Sequence, residues 1–411
     1  MFRRVFSLAV ALMALSMNSI RAEEFTTLVG WDGQLYPSFL LSTATVKNAP
    51  WIDTERTDLL GDRGGLLGIR VTASEADTAI KVTVTCNEIM EPSTFSGTLE
   101  EADLEYTVLP KIKYKFAKLA EISQATPISM TFKVQIGDNE ATEETATVTV
   151  RPVNDCPYFV QIGEDQHLDI SPTFAAYVNE QHPFLDKILR EALDVGVVEA
   201  FSGYQGDEAE VIRQVYALWD ALVARDVRYS SITATAVESD TVYSQHVRLI
   251  DESINNAQAN CVDGSVLFAS LLRKIGIDPF LVLVPGHCYV GFYVDSKHEA
   301  FMCLETTMLG SSVAEDEDYT AVDKLEEAVD EESRGDSFAT FSNAIAAGSG
   351  SFEENRAKFD DLKESNYVMI DIAKARKAGM LPIAFRGTEE FKDVASADDE
   401  EAATTDDSEE E

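Results

Sequence analysis

Between residues 24 and 155 apolar and polar positions alternate. The segments LLGIRVTA, AIKVTVTC, PISMTFKVQI and TATVTVRPV carry the two-residue period of strands with one buried face. Gly, Asn, Asp and Pro lie between them, and the pattern predicts a small antiparallel β-sandwich over residues 23–155. After Cys156 the period changes. DEAEVIRQVYALWDALVARDV repeats Val211, Val215, Leu218, Trp219 and Leu222 at helical spacing. VRYSSITATA then reads as extended chain. A helix apolar around most of its circumference follows, with Val262, Val266, Leu267, Phe268, Leu271, Leu272 and Ile275, and it stops at Gly276. PFLVLVP, GHCYVGFYVD and AFMCLE read as strands, the first an uncharged run expected of a buried strand. Strands joined by short turns are most simply antiparallel. The fold class is therefore α+β, with a second domain over 156–387. That domain carries an acidic insertion near 314–336, expected on the surface with one helix.

The termini add to this picture. Arg3 and Arg4 precede an apolar run from Val5 to Met17 and the sequence IRA, which reads as a signal peptide over residues 1–22. The run is too short to span a bilayer, so export to a periplasmic or extracellular compartment without membrane insertion is expected. From Glu389 onward the last 23 residues hold twelve acidic side chains and one lysine, so 388–411 reads as a disordered acidic tail. The whole chain of 411 residues has 72 acidic and 33 basic side chains, a formal charge of −39. Such a field opposes binding to nucleic acid, which needs neutralising Lys and Arg.

Five cysteines are present, an odd number, so at least one thiol stays unpaired within the chain. Cys86 and Cys156 are candidates for pairing with each other. Cys261 is the chemically interesting one. Asn260 is a good N-cap, which places Cys261 at the first helical position, where the unsatisfied amides and positive dipole end favour thiolate. Asp263 in the same turn opposes ionisation, so a proton-accepting partner is required. His287 enters the next-but-one element within PGH, and Glu305 closes the strand after it. A carboxylate there can orient the imidazole and fix its tautomer.

Cysteine at the start of a buried helix, LFASLLRKIGIDP, PGH on a strand and an acid on the next strand together resemble the transglutaminase-like family, a papain-like cysteine fold. The similarity runs over about residues 207–310. It departs at Glu305, where aspartate is commoner, and at Val262, where tryptophan is common. The resemblance implies a Cys261–His287–Glu305 triad working through a thioester, resolved by an amine or by water, on protein or peptide amides. The Cys261 N–H would bind the oxyanion with a second donor, for which Gln258 and Tyr229 are candidates. A chain that keeps this fold without turnover would instead be a binding or adhesion module.

The remaining residues were weighed in the same way. TVTVRPVNDCPYF resembles the end of cadherin-like sandwich repeats, whose module junctions can bind calcium. Asp155 alone does not support calcium, and a turn before Pro157 accounts for the motif. Cys261, His287, Cys288 and Cys303 are a zinc-compatible set, but neighbours on a strand point to opposite faces and no C-x₂₋₄-C pair exists, so no cofactor or metal is expected. His246 and Asp251 read as surface or capping groups. Cys288 and Cys303 read as packing residues, with strand parity making Cys303 the better placed to cap Cys261 as a disulfide.

Overall fold

The computed structural model describes residues 24–47, 49, 52, 55–163, 166–231, 239–313, 318–361, 366–387 and 389–393. The expected signal peptide, the last part of VRYSSITATA, the first residues of the acidic insertion and the chain after Asp393 lie outside the described residues. The protein is a mixture of helices and sheets with two large apolar cores.

The first core lies between two sheets. One has four strands in the order Phe25–Val29, Leu67–Thr72, Glu105–Leu109 and Leu59–Gly61. The other has five, in the order Gln34–Leu35, Thr142–Val150, Thr126–Ile136, Thr78–Thr85 and Ser93–Leu99. Alternate residues point inward, as the two-residue period requires. Ile69, Val71 and Val108 from one sheet meet Val82, Val84, Phe132 and Val148 from the other.

The turn expected before Pro157 runs through Val153 and Asn154 and is closed by the N–H of Asp155 donating to the Pro152 carbonyl at 3.0 Å; Asp155 itself leaves the turn. It opens the strand Asp155–Gln161, which pairs with Val242–His246 on one side and His167–Asp169 on the other. The expected boundary at residue 155 thus falls at the start of a strand shared with the second unit. The Asp155 carboxylate accepts from Arg151 Nε at 2.9 Å and faces His246 Nδ1 at 3.3 Å, both within a buried cluster, so its oxygens are already engaged by protein groups. Cys86 belongs to the first core and Cys156 to the second, and both are free thiols rather than a pair.

The second unit is built on an antiparallel sheet in the order Phe301–Leu304, His287–Tyr293, Pro279–Val284 and Val368–Asp371. Cys261–Lys274 packs on one face, so Cys288, Val290 and Phe292 join its apolar side chains in one core. Trp219 of Glu208–Ala224 is fully buried in the same core. On the opposite face Phe280, Val282, Tyr289 and Cys303 meet Phe352.

Two expectations need correction. The insertion contains Asp323–Ala328, but Leu325, Ala328 and Val329 are buried in the second core, so this helix is a structural part rather than a surface addition. The tail reading begins too early. Phe391 packs edge-on against Phe184 with ring centres 5.1 Å apart, under the Arg225 guanidinium at 4.3 Å. Arg225 also donates to the Lys392 carbonyl at 2.6 Å, so the chain docks at least through this segment. Among the described residues no helix is long and apolar enough to cross a membrane.

Candidate active site

The site begins with the cap of the cysteine helix. Asn260 has an extended backbone, and its Oδ1 accepts from the N–H groups of Val262 and Asp263 at 2.8 and 2.9 Å. Asp263 reciprocates by accepting from the Asn260 N–H at 3.0 Å, which completes a capping box. The Cys261 amide, first in the helix, has no intrahelical acceptor and faces outward with the positive dipole end. Asp263 is wholly buried, yet it does not confront the thiol as a bare charge. Arg248 donates to it twice, from the backbone N–H at 2.8 Å and from Nη1 at 2.7 Å. The sequence reading missed this pairing, because HVRLID lies thirteen residues upstream of the cysteine.

The second component is an imidazole held by a carboxylate. His287 Nε2 lies 2.6 Å from Glu305 Oε2. The Cys261 thiol borders the same cleft beside the ring, and with Nε2 engaged by the carboxylate, Nδ1 is the nitrogen left to serve the sulfur. The neighbouring groups, Cys261 first and Glu305 second, outweigh burial and push the imidazolium pKa up to about 10. The Glu305 carboxyl moves the other way. Burial works to raise it, but hydrogen bonds from His287 and Thr307 and the His287 charge hold it below the usual range. Thr307 takes Oε1, through its hydroxyl at 2.6 Å and its N–H at 3.1 Å, leaving Oε2 for His287.

Close approach of backbones places the acid. A Cβ on Gly264 would come within 2.9 Å of Thr306 Oγ1, so only glycine lets the cysteine helix sit this near the residue after Glu305. The strand Phe301–Leu304 is an outer strand, and Phe338–Phe359 covers its edge. The Ala344 carbonyl accepts from the Glu305 N–H at 3.0 Å, and Ser349 Oγ accepts from the Cys303 N–H at 3.2 Å. A Cβ on Gly348 would lie 2.8 Å from the Cys303 carbonyl group. The run AAGSGS is therefore a contact surface, although its composition hid the helix from a reading by propensity.

Cys261 and His287 open onto a cleft of about 550 Å³. One wall is the Leu283–Cys288 turn. The other comes from the small three-stranded sheet and the turn after it, with Tyr158, Phe174 and Tyr243. The oxyanion candidates fall elsewhere. Gln258 and Tyr229 lie on a two-strand ribbon, Arg228–Tyr229 beside Gln258–Ala259, and both are exposed. Neither lines the cleft, whereas the Gln245 side chain does. His246 is bound to Asp155, and Asp251 is buried 3.6 Å from His182 Nε2 rather than at the surface.

Strand parity gave the wrong thiol as a neighbour of Cys261. Cys303 lies in the cluster on the far face of the sheet, with Phe280 and Phe352. Cys288 shares the cysteine-helix core and lines the same cleft as Cys261. The parity argument treated the triad as lying on one flat face. In the structure Cys261 begins its helix and His287 begins its strand, and both border the cleft. Burial pushes the thiol pKa of both Cys288 and Cys303 upward, away from reactivity. Among the described residues no group of three or more His, Cys, Asp or Glu is arranged to hold a metal ion.

No model of a known protein family matches the chain, and no curated protein matches it.

Proposed function

We propose that this protein is an exported cysteine enzyme of the transglutaminase-like kind, with a papain-like core preceded by a β-sandwich. It would transfer acyl groups from protein or peptide amides. The observation that carries the reading is that Cys261 and His287 border one cleft, with the imidazole hydrogen-bonded from behind by Glu305 at 2.6 Å.

The mechanism follows from the proton positions. A ring that holds its proton at neutral pH beside a thiol at a helix start favours the thiolate–imidazolium pair. The Cys261 sulfur attacks the amide carbonyl, and the oxyanion forms next to the helix N-terminus, where the Cys261 N–H donates to it. His287 passes its proton to the leaving amine as the C–N bond breaks, leaving a thioester on Cys261. An incoming amine or water then gives up a proton to His287, attacks the thioester carbon and releases the thiolate. Glu305, fixed by Thr307, keeps the ring oriented throughout.

The test is incubation with a glutamine-rich protein and a labelled primary amine, read by intact mass. Amine incorporation marks cross-linking, a gain of about one mass unit per glutamine marks hydrolysis of the same thioester, and chain cleavage marks a peptidase. Absence of all three, with Cys261 intact and unmodified, would remove the enzyme reading and leave a binding module.

A further inference from the structure

The wall of the cleft opposite the thiol has a chemistry unlike the rest of the chain. The protein carries a formal charge of −39, yet among the described residues none that lines this cleft is Asp, Glu, Lys or Arg. Tyr158 and Phe174 stack with ring centres 5.8 Å apart and an interplanar angle of 24°. Tyr243 stands beside them and is 50% exposed, a large aromatic surface left in water next to a nucleophile.

Two further observations say what kind of ligand this wall suits. Ser171 lines the cleft and is 2% exposed, and its Oγ has no hydrogen-bond partner. A buried hydroxyl without a partner is costly, so a ligand that supplies one gains from the contact. Tyr243 and Gln245 belong to Val242–His246, an outer strand of its sheet among the described residues, and outer strands offer backbone groups to an extended chain. An edge of this kind selects polypeptide, and apart from the His287 imidazolium the described lining offers no charged partner to acidic or basic side chains.

We infer that the cleft binds an extended, uncharged stretch of polypeptide and seats an aromatic side chain of that stretch against Tyr158, Phe174 and Tyr243, beside the bond presented to Cys261. This deepens the acyl-transfer reading and rests on it only for the identity of the reacting bond. Ser171 then finds its partner on the bound chain.

The experiment uses the full chain carrying Cys261→Ala, so that binding is read without turnover. Fluorescein-labelled peptides Gly-Ser-Gly-X-Gln-Gly-Ser-Gly, with X as Phe, Ala, Glu or Lys, are titrated by fluorescence anisotropy. The Phe peptide should bind about tenfold tighter than the Glu and Lys peptides, with Ala between them. Adding Tyr243→Ala, at an exposed position that the fold does not need, should weaken the Phe peptide several-fold and leave the Ala peptide unchanged. Ser171→Ala should weaken all four alike. Equal affinity for Phe and Glu peptides, indifference to Tyr243→Ala, or displacement by a neutral oligosaccharide would overturn the inference. Discrimination by the Cys261→Ala protein together with a wild type inert toward amines and amides would retain the peptide site and reject acyl transfer. Amine incorporation without discrimination would do the reverse.

Discussion

The two units of this protein treat polar groups in opposite ways. In the N-terminal pair of sheets the ion pairs stand in water. Lys133 and Glu143, for example, are both more than half exposed, and the space between the sheets is filled by Ile, Val, Phe and Met. In the C-terminal unit a carboxylate with no exposure at all, Asp263, is placed under the helix that bears the thiol and neutralised there by Arg248. Asn260, Ser265 and Thr306 are buried around it. Burying such groups is costly unless every one is bonded. The first unit needs only a stable core. The second spends stability to fix one turn of helix, and that turn presents Cys261.

This contrast can be broken most severely at Asp263. Asp263→Ala removes the buried carboxylate that Arg248 donates to twice and frees the Asn260 N–H. Stability should fall by about 3–5 kcal/mol, against under about 1 kcal/mol for Lys133→Ala on the first unit, as read by denaturant midpoints. Similar losses at the two sites would mean that the buried pair is not what holds the helix tip. The next largest effect concerns the docked end of the chain. Truncation after Gly387 removes Phe391 from Phe184 and Arg225 and should cost about 2 kcal/mol, while truncation after Asp393 should leave the thermal midpoint unchanged. Equal midpoints for the two truncations would show that the Phe391 contact contributes nothing.

A smaller change than at the docked end is expected at Gly264. Alanine is the better helix former by about 1 kcal/mol, but its Cβ must displace Thr306, so the net loss should be about 1 kcal/mol. Turnover should fall more than stability does, because Thr306 moves with Glu305. A variant of unchanged activity would show that the spacing between helix and acid has slack.

The strands of the first unit were legible because a two-residue period with one buried face has few competing readings. The segment AIKVTVTC predicts Thr78–Thr85 within a residue at each end. The cysteine helix was legible for a different reason, since Asn260 before an apolar run and Gly276 after it mark both ends chemically. What stayed hidden depended on contacts distant in sequence. Arg248, the Thr307 clamp and the aromatic wall of Tyr158 and Phe174 leave no periodic trace, because each matters only through a neighbour in space. The helix Phe338–Phe359 was hidden by its own function. Gly348 and Ser349, which let it approach the Glu305 strand, are poor helix formers and leave no apolar period to read. Parity placed Cys303 near Cys261 because the rule holds along a strand and says nothing of what happens past its end.

The pH dependence of the site has a definite sign. His287 is raised from its ordinary 6.5 to about 10, so its contribution to stability is complete below about pH 6.5 and is lost as pH rises through about 10. Glu305 is lowered, so its contribution is present above the ordinary value of 4.5 and is lost as pH falls through its folded value. Both contributions coexist between about pH 5 and 6.5, where stability from this pair should be greatest.

The central claim, that Cys261, His287 and Glu305 act as one unit, is tested most directly by the rate of iodoacetamide alkylation at Cys261 against pH, in the wild type and in Glu305→Gln and His287→Ala. The account predicts fast labelling of Cys261 across neutral pH in the wild type. In Glu305→Gln the high-pH break near 10 should move to lower pH, because the imidazolium loses its anionic partner. In His287→Ala the neutral plateau should vanish, and labelling should rise only toward the pKa of an ordinary thiol, about 8.5. Superimposable profiles for all three proteins would contradict the account, since the thiol would then be titrating alone.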